Sequence, residues 1–94
     1  MRTIEDHKIN PANDKLQIAV TDEPGSGGAN HRYEITGMDM SRNASQVTSE
    51  EESAKLVLLF QNGPIPEVGT NGVTHEVLLS IVADRLRSFQ KGPF

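Results

Sequence analysis

Between Gly63 and Gly72 the chain reads G-P-I-P-E-V-G-T-N-G, two Pro and three Gly in ten residues. Interior Pro removes a backbone donor and clashes with the preceding helical turn, and Gly carries the largest backbone entropy cost. The stretch therefore predicts neither helix nor strand. It divides a first part with strand-like patterning from a last part with helix-like patterning. The reading is a single α+β domain over residues 1–94: a small antiparallel β-sheet followed by a C-terminal helix.

In the first part, Lys15 to Asp22 reads K-L-Q-I-A-V-T-D. Leu16, Ile18 and Val20 alternate with Gln17, Ala19 and Thr21, which is the period of a half-buried strand. The Gly-rich run 23–30 permits a reversal. Tyr33 and Ile35 then alternate with Arg32, Glu34 and Thr36, so the two runs predict a hairpin whose second strand bulges or ends at Gly37. Lys55–Gln61, K-L-V-L-L-F-Q, is continuously apolar and predicts a central strand covered on both faces. Sheet residues thus span 15–62, interrupted by a polar, aperiodic surface loop near 39–54. Residues 1–14 hold only Ile4 and Ile9 as large aliphatics, and predict an extended or disordered arm.

In the last part, Thr74 is placed to N-cap a helix from about His75 to about Lys91, with Glu76 in the first turn and Gly92-Pro93 as the stop. Leu78, Leu79, Val82, Leu86 and Phe89 recur at spacings of three and four, forming one apolar stripe. Only 23 of the 94 residues are Leu, Ile, Val or Phe. A core so limited predicts an obligate oligomer.

There is no Cys, so disulfides and cysteine-metal sites are excluded, and a reducing compartment is the default. The net charge of −4 argues against a non-specific grip on DNA or RNA. No apolar run approaches a membrane span of about 20 residues. His7, His31 and His75 form no His-x-x-x-His pair, no nucleophile elbow is present, and neither a metal site, a cofactor nor an enzyme is expected. Gly25-Ser26-Gly27-Gly28 lacks the Lys-Ser/Thr ending and following helix of a phosphate loop. There, Asn30 and His31 are expected to fix the hairpin by side-chain to backbone bonds. Glu50-Glu51-Glu52 reads as a solvated charge run.

Three segments together resemble one family: G-G-A-N-H-R-Y-E-I at 27–35, F-Q-N-G-P-I-P-E-V-G-T-N-G-V at 60–73, and L-L-S-I-V-A-D-R-L-R-S-F-Q-K-G-P-F at 78–94. They are similar to the bacteriophage sponges of the first Thoeris anti-defence type, which share a helical hairpin domain with the anti-CBASS sponges. The resemblance implies a protein of the host bacterial cytoplasm that binds cyclic nucleotide immune signals without cleaving them. The signals would be cyclic ADP-ribose isomers, with cyclic di- or trinucleotides for several relatives. It also implies homo-oligomers, from dimer to hexamer, paired through helices. The family continues after G-P-F with an Ala-Cys-Arg-Glu-Asn motif and a second helix, both absent here. Truncation is the expectation, with cover from another subunit as the alternative.

Phe89 matches the family's pocket aromatic; by pattern alone it is a core position, and by chemistry a surface on which a nucleobase stacks. Arg85 and Arg87 offer bidentate donors to phosphate, or else form a solvated basic face. Asn71, Thr74 and His75 stand at the helix entrance, where free N–H groups suit an anion, although Asn and Thr there commonly serve as turn and cap. Two rival functions remain at this point: a protein-interaction module using the helix, and a signal-degrading phosphodiesterase.

Overall fold

The computed structural model describes residues 1–45 and 55–92. The chain forms two compact units, Met1–Leu59 and Phe60–Phe94.

The first unit is a four-stranded antiparallel meander in the order β1-β2-β3-β4: β1 Arg2–Ile4, β2 Gln17–Val20, β3 Arg32–Thr36 and β4 Leu56–Leu59. Cross-strand register follows the alternation seen in the sequence. Ile4, Ile18, Ile35 and Leu56 form one row, and Arg2, Val20, Tyr33 and Leu58 the next, both on the same face. Thr3, Ala19, Glu34 and Val57 share the opposite face. There Glu34 accepts from Arg32 and from Lys55 at 3.1 Å. Among the described residues Val20, 1% exposed, is the only buried apolar residue.

The hairpin between β2 and β3 is tied by Asp22. Its two carboxylate oxygens accept from the His31 amide at 3.0 and 3.2 Å, and its carbonyl accepts from Asn30 Nδ2 at 2.7 Å. Burial pushes the Asp22 carboxyl up, but the amides of His31 and Arg32, the Asn30 side chain and the nearby His31 charge outweigh that push and hold it below 3.8. Asn30 works through its side chain, as expected. For His31 the roles are reversed, since the backbone of His31 donates to the side chain of Asp22.

β3 ends where Gly37 adopts φ +94°; a Cβ there would lie 1.8 Å from the Lys15 carbonyl oxygen, so only glycine fits. Within the polar loop, Met40–Arg42 forms a single 3₁₀ turn, capped by Asp39 accepting from the Ser41 amide at 3.2 Å. Residues 46–54 of that loop, including Glu50–Glu52, lie outside the described residues.

Two readings of this unit are corrected. The first residues are not merely an arm, because Arg2–Ile4 is the first strand of the sheet. One inward side chain, Ile4, suffices to extend the apolar row, and β2 supplies the hydrogen-bonding edge. β4, read as a covered central strand, is last in the sheet order. Its Leu56 and Leu59 are 49% and 51% exposed. A continuous apolar run shows that both faces of a strand want cover, not that its own unit supplies it.

The second unit begins with a parallel bridge, Phe60 to Val73, and Gln61 N–H donates to the Val73 carbonyl at 2.9 Å. α1 Ile65–Val68 and α2 His75–Lys91 follow. α1 corrects the expectation that 63–72 holds no helix. It is one turn, with Pro64 as N-cap and Pro66 in the first turn, where the missing donors are not needed. The amides of Val68 and Gly69 close it onto Pro64 and Ile65 at 3.0 and 2.8 Å. The sheet followed by α2 makes the chain α+β. No helix among the described residues is long and apolar enough to cross a membrane.

Candidate functional site

The entrance to α2 is a hydrogen-bonded clamp. Asn71 Nδ2 donates to the Asn62 carbonyl at 2.8 Å, and Asn71 Oδ1 accepts from the Asn62 amide at 2.9 Å. Gln61 Oε1 accepts from the Asn71 amide at 3.0 Å, while Gln61 Nε2 donates to the carbonyls of Gly63 and Gly69 at 3.1 and 2.8 Å. These bonds satisfy the main chain of a segment too rich in Gly and Pro to satisfy itself.

Gly72 passes so close to the bridge residue Phe60 that a Cβ would lie 2.5 Å from its carbonyl carbon. Thr74 then caps α2, its hydroxyl accepting from the Val77 amide at 3.4 Å. Glu76 is held below its ordinary carboxyl range first by its own amide and then by the Thr74 hydroxyl. His75 meets Phe60 edge-on, with ring centroids 5.5 Å apart.

The three entrance residues singled out by sequence therefore have structural employment. The side chain of Asn71 is committed at both ends, Thr74 is the cap, and the helix dipole already faces Glu76. Gln61 is the residue that sequence reading missed. Its partners lie two to ten positions away through a folded loop, and a Gln after an apolar run carries no local signal.

On α2 the structure sorts the remaining candidates. Phe89 and Arg85 are one helical turn apart, and the Arg85 guanidinium carbon lies 4.7 Å from the Phe89 ring centroid. Arg87 is two positions from Arg85, so it projects from a nearly opposite side of the helix. Arg85 and Phe89 form a pair that Arg87 does not join.

The entrance and Phe89 are separated by 14 residues of helix, about 21 Å of rise. A nucleotide-sized ligand on one copy cannot touch both. α2 also buries none of its residues: Leu79, Leu86 and Phe89 are 66%, 58% and 42% exposed.

In the first unit, Arg2, Asp22, Glu23 and Asn30 help to line an open cleft of about 250 Å³. Asn30 Oδ1 accepts from Arg2 there at 3.0 Å. Two carboxylates beside one guanidinium make this a poor receptor for an anion.

This is a small α+β chain in which α2, the one long helix among the described residues, presents an apolar stripe edged by an arginine–aromatic pair. It is similar to Thoeris anti-defense 1 of Bacillus phage SBSphiJ7, with 42% identity over 53 residues. The match takes in 55% of this chain and 37% of that protein, so it spans little more than a third of the curated relative's length. The chain is thus related in part to a phage Thoeris anti-defence protein. No family model matches it.

Proposed function

We propose that the chain belongs to a phage anti-defence protein that sequesters a cyclic nucleotide immune signal, a cyclic ADP-ribose isomer or a cyclic di- or trinucleotide, without cleaving it. The setting is the host bacterial cytoplasm, the opponent is Thoeris or CBASS-type immunity, and no cofactor takes part. The partial identity to Thoeris anti-defense 1 supports the biological role. The Arg85–Phe89 pair carries the chemistry: an aromatic face for a base with a fixed cation beside it for a phosphate.

Sequestration works by mass action, so it needs tight binding; a nanomolar constant corresponds to about −12 kcal/mol. A small ligand reaches that only when enclosed on most sides. One helix with no buried residue encloses nothing. The site is therefore completed between copies in a homo-oligomer, each α2 stripe covered by another. On this reading the entrance of one copy and the Phe89 end of another are brought within reach of one ligand.

Native mass spectrometry of the protein mixed with cyclic nucleotides tests the reading, because it reports subunit number and bound mass together. An oligomer carrying intact ligand supports it. Ligand recovered chemically altered after denaturation replaces it with a phosphodiesterase. The exposed α2 stripe also favours an interaction module that docks on a host protein. In that case no cyclic nucleotide raises the melting temperature.

A further inference from the structure

We propose that the free edge of β4 is a docking site for the same edge of a second copy, the two strands running antiparallel about a two-fold axis at Leu58. The inference rests on the reading that α2 gathers copies, and it supplies the further surface that α2 lacks.

The direction of the backbone groups follows from one hydrogen bond. The Thr21 amide donates to the Arg32 carbonyl at 3.1 Å, so the N–H and C=O of Arg32 face β2. Such groups alternate along a strand, so those of Tyr33 and Ile35 face β4. Their register partners are Leu58 and Leu56, whose groups face back toward β3. The N–H and C=O of Val57 and Leu59 therefore point outward. β4 is last in the sheet order, and among the described residues no backbone group takes them up.

The two edges of the sheet are unequal. β1 has three residues, contains Arg2 and runs straight into Glu5 and Asp6. Shortness and charge are what keep an edge from pairing. β4 reads L-V-L-L, without charge or Pro, in unbroken register with β3. Lys55, which flanks it, reaches inward to Glu34 of β3 at 3.1 Å rather than guarding the edge. Val57 and Leu59 are 39% and 51% exposed.

The edge is complementary to itself. A two-fold pair must set outward groups against outward groups. With Leu58 on the axis, Val57 of each copy meets Leu59 of the other, and each outward N–H finds an outward C=O. Contacts among 57–59 are then all apolar, and the two Lys55 lie about 20 Å apart along the strands. A parallel pair in register would set Lys55 beside Lys55. Centring on Val57 would set Lys55 against the second copy's Leu59. An edge this short buries far less than the roughly 800 Å² per partner of a stable interface, so it acts on copies that α2 already holds at high local concentration.

The chain has no Cys, so an introduced one reports alone. On the axis, position 58 of the two copies forms a non-hydrogen-bonded pair with Cα atoms about 4.5 Å apart, within disulfide reach. Position 56 of the two copies is about 13 Å apart. Full-length chains with Leu58→Cys, Leu56→Cys, Val57→Cys or Ile9→Cys are oxidised where light scattering shows association; Ile9, 85% exposed, controls for chance collision. Leu58→Cys should link about tenfold or more faster than the others. In the unsubstituted protein, hydrogen exchange at the Val57 and Leu59 amides should be about tenfold or more slower in the assembly than after dilution, with Leu56 and Leu58 little changed. Leu59→Lys should remove that protection and leave the sheet intact. Linking at Leu58 no faster than at Ile9, faster linking at Val57, or exchange at Val57 and Leu59 that ignores association would overturn the edge contact while leaving pairing through α2 in place. A chain that never associates overturns both.

Discussion

The guanidinium of Arg85 lies over the ring of Phe89, 4.7 Å from its centroid, on a helix that buries neither residue. The contact is worth about 0.5–1 kcal/mol at an exposed site, so it does little for the fold. Phe89→Ala is accordingly expected to leave the melting temperature within a few degrees of the parent. If the ring stacks a base, the same change removes about 1–3 kcal/mol, or roughly 5- to 150-fold in affinity for a cyclic nucleotide. Titration calorimetry in a form of the protein that assembles checks this, and unchanged affinity removes Phe89 from the site. Arg85→Lys keeps the charge but loses the planar fork, so it should weaken binding less than Arg85→Ala.

Asn71→Ala removes both bonds to the Asn62 main chain together with their partner side chain. The freed groups are exposed and return to water, so the cost is at the lower end of what hydrogen bonds contribute, about 1–2 kcal/mol. Chemical denaturation measures it. Asn71→Asp should fall between the two, since a carboxylate still accepts from the Asn62 amide but repels the Asn62 carbonyl.

Much of this fold is legible before any coordinates, and the boundary is physical. Alternation in 16–21 and 32–36 places the β2–β3 register, because a strand's side-chain period is two and a one-residue slip would turn Tyr33 and Ile35 to the other face. Thr74, Gly92 and the stripe between them delimit α2, because caps and periodicity act locally. What escapes notice is set by distant partners. β1 has three residues and one inward aliphatic, and exists because β2 offers an edge. The position of β4 depends on what covers Leu56 and Leu59, which the strand's own residues do not encode. α1 is hidden by its prolines, which forbid a helix interior but suit a first turn. Of the candidate site, the Arg85–Phe89 pair follows from helical spacing, whereas the engagement of Asn71 with Asn62 spans nine residues and a fold.

Acid should act on the sheet unit through two carboxyls. Asp22 is held below 3.8, the amides around it outweighing the upward push of burial. Glu34 is held below 4.5, first by Arg32 and then by Lys55. Both folded values are depressed, so the unfolded chain takes up protons first. The stabilisation is fully present above the ordinary carboxyl values and is lost as pH falls through and below them. Urea midpoints are therefore expected to be level above pH 4.5 and to decline progressively beneath it. Asp22→Asn should flatten part of that decline. A midpoint that rises on acidification would contradict the assigned direction.

Gly37→Ala should be among the most damaging single-methyl changes in the chain. The new Cβ would sit 1.8 Å from the Lys15 carbonyl oxygen at φ +94°, combining a clash with a backbone conformation that alanine resists. The expected loss is about 2–4 kcal/mol, enough to remove much of the stability of a small domain. Gly28→Ala is the internal comparison: its φ is +80° but nothing lies within 4 Å of the added methyl, so it bears the backbone cost alone. A melting-temperature drop equally large for both would mean that strain, not the Lys15 contact, decides the Gly37 effect.

The α2 stripe makes the strongest demand on solution behaviour. Leu79, Val82 and Leu86 lie on one side of the helix and each is more than half exposed in a single copy. Each such side chain gains about 1.5–3 kcal/mol on full burial, so association between copies is strongly favoured once two stripes meet. The helix is only about 26 Å long, and one such stripe is short of the roughly 800 Å² per partner typical of a stable interface. Pairing through α2 alone is thus expected to be concentration-dependent, with tighter assembly requiring further surface such as the exposed β4. Light scattering across a dilution series should show a mass that rises with concentration. Leu86→Glu places a charge in the middle of the stripe and should return the protein to a single copy without unfolding it, as its site is exposed already. A wild-type chain that stays monomeric at high concentration would remove the assembly on which the enclosed site depends.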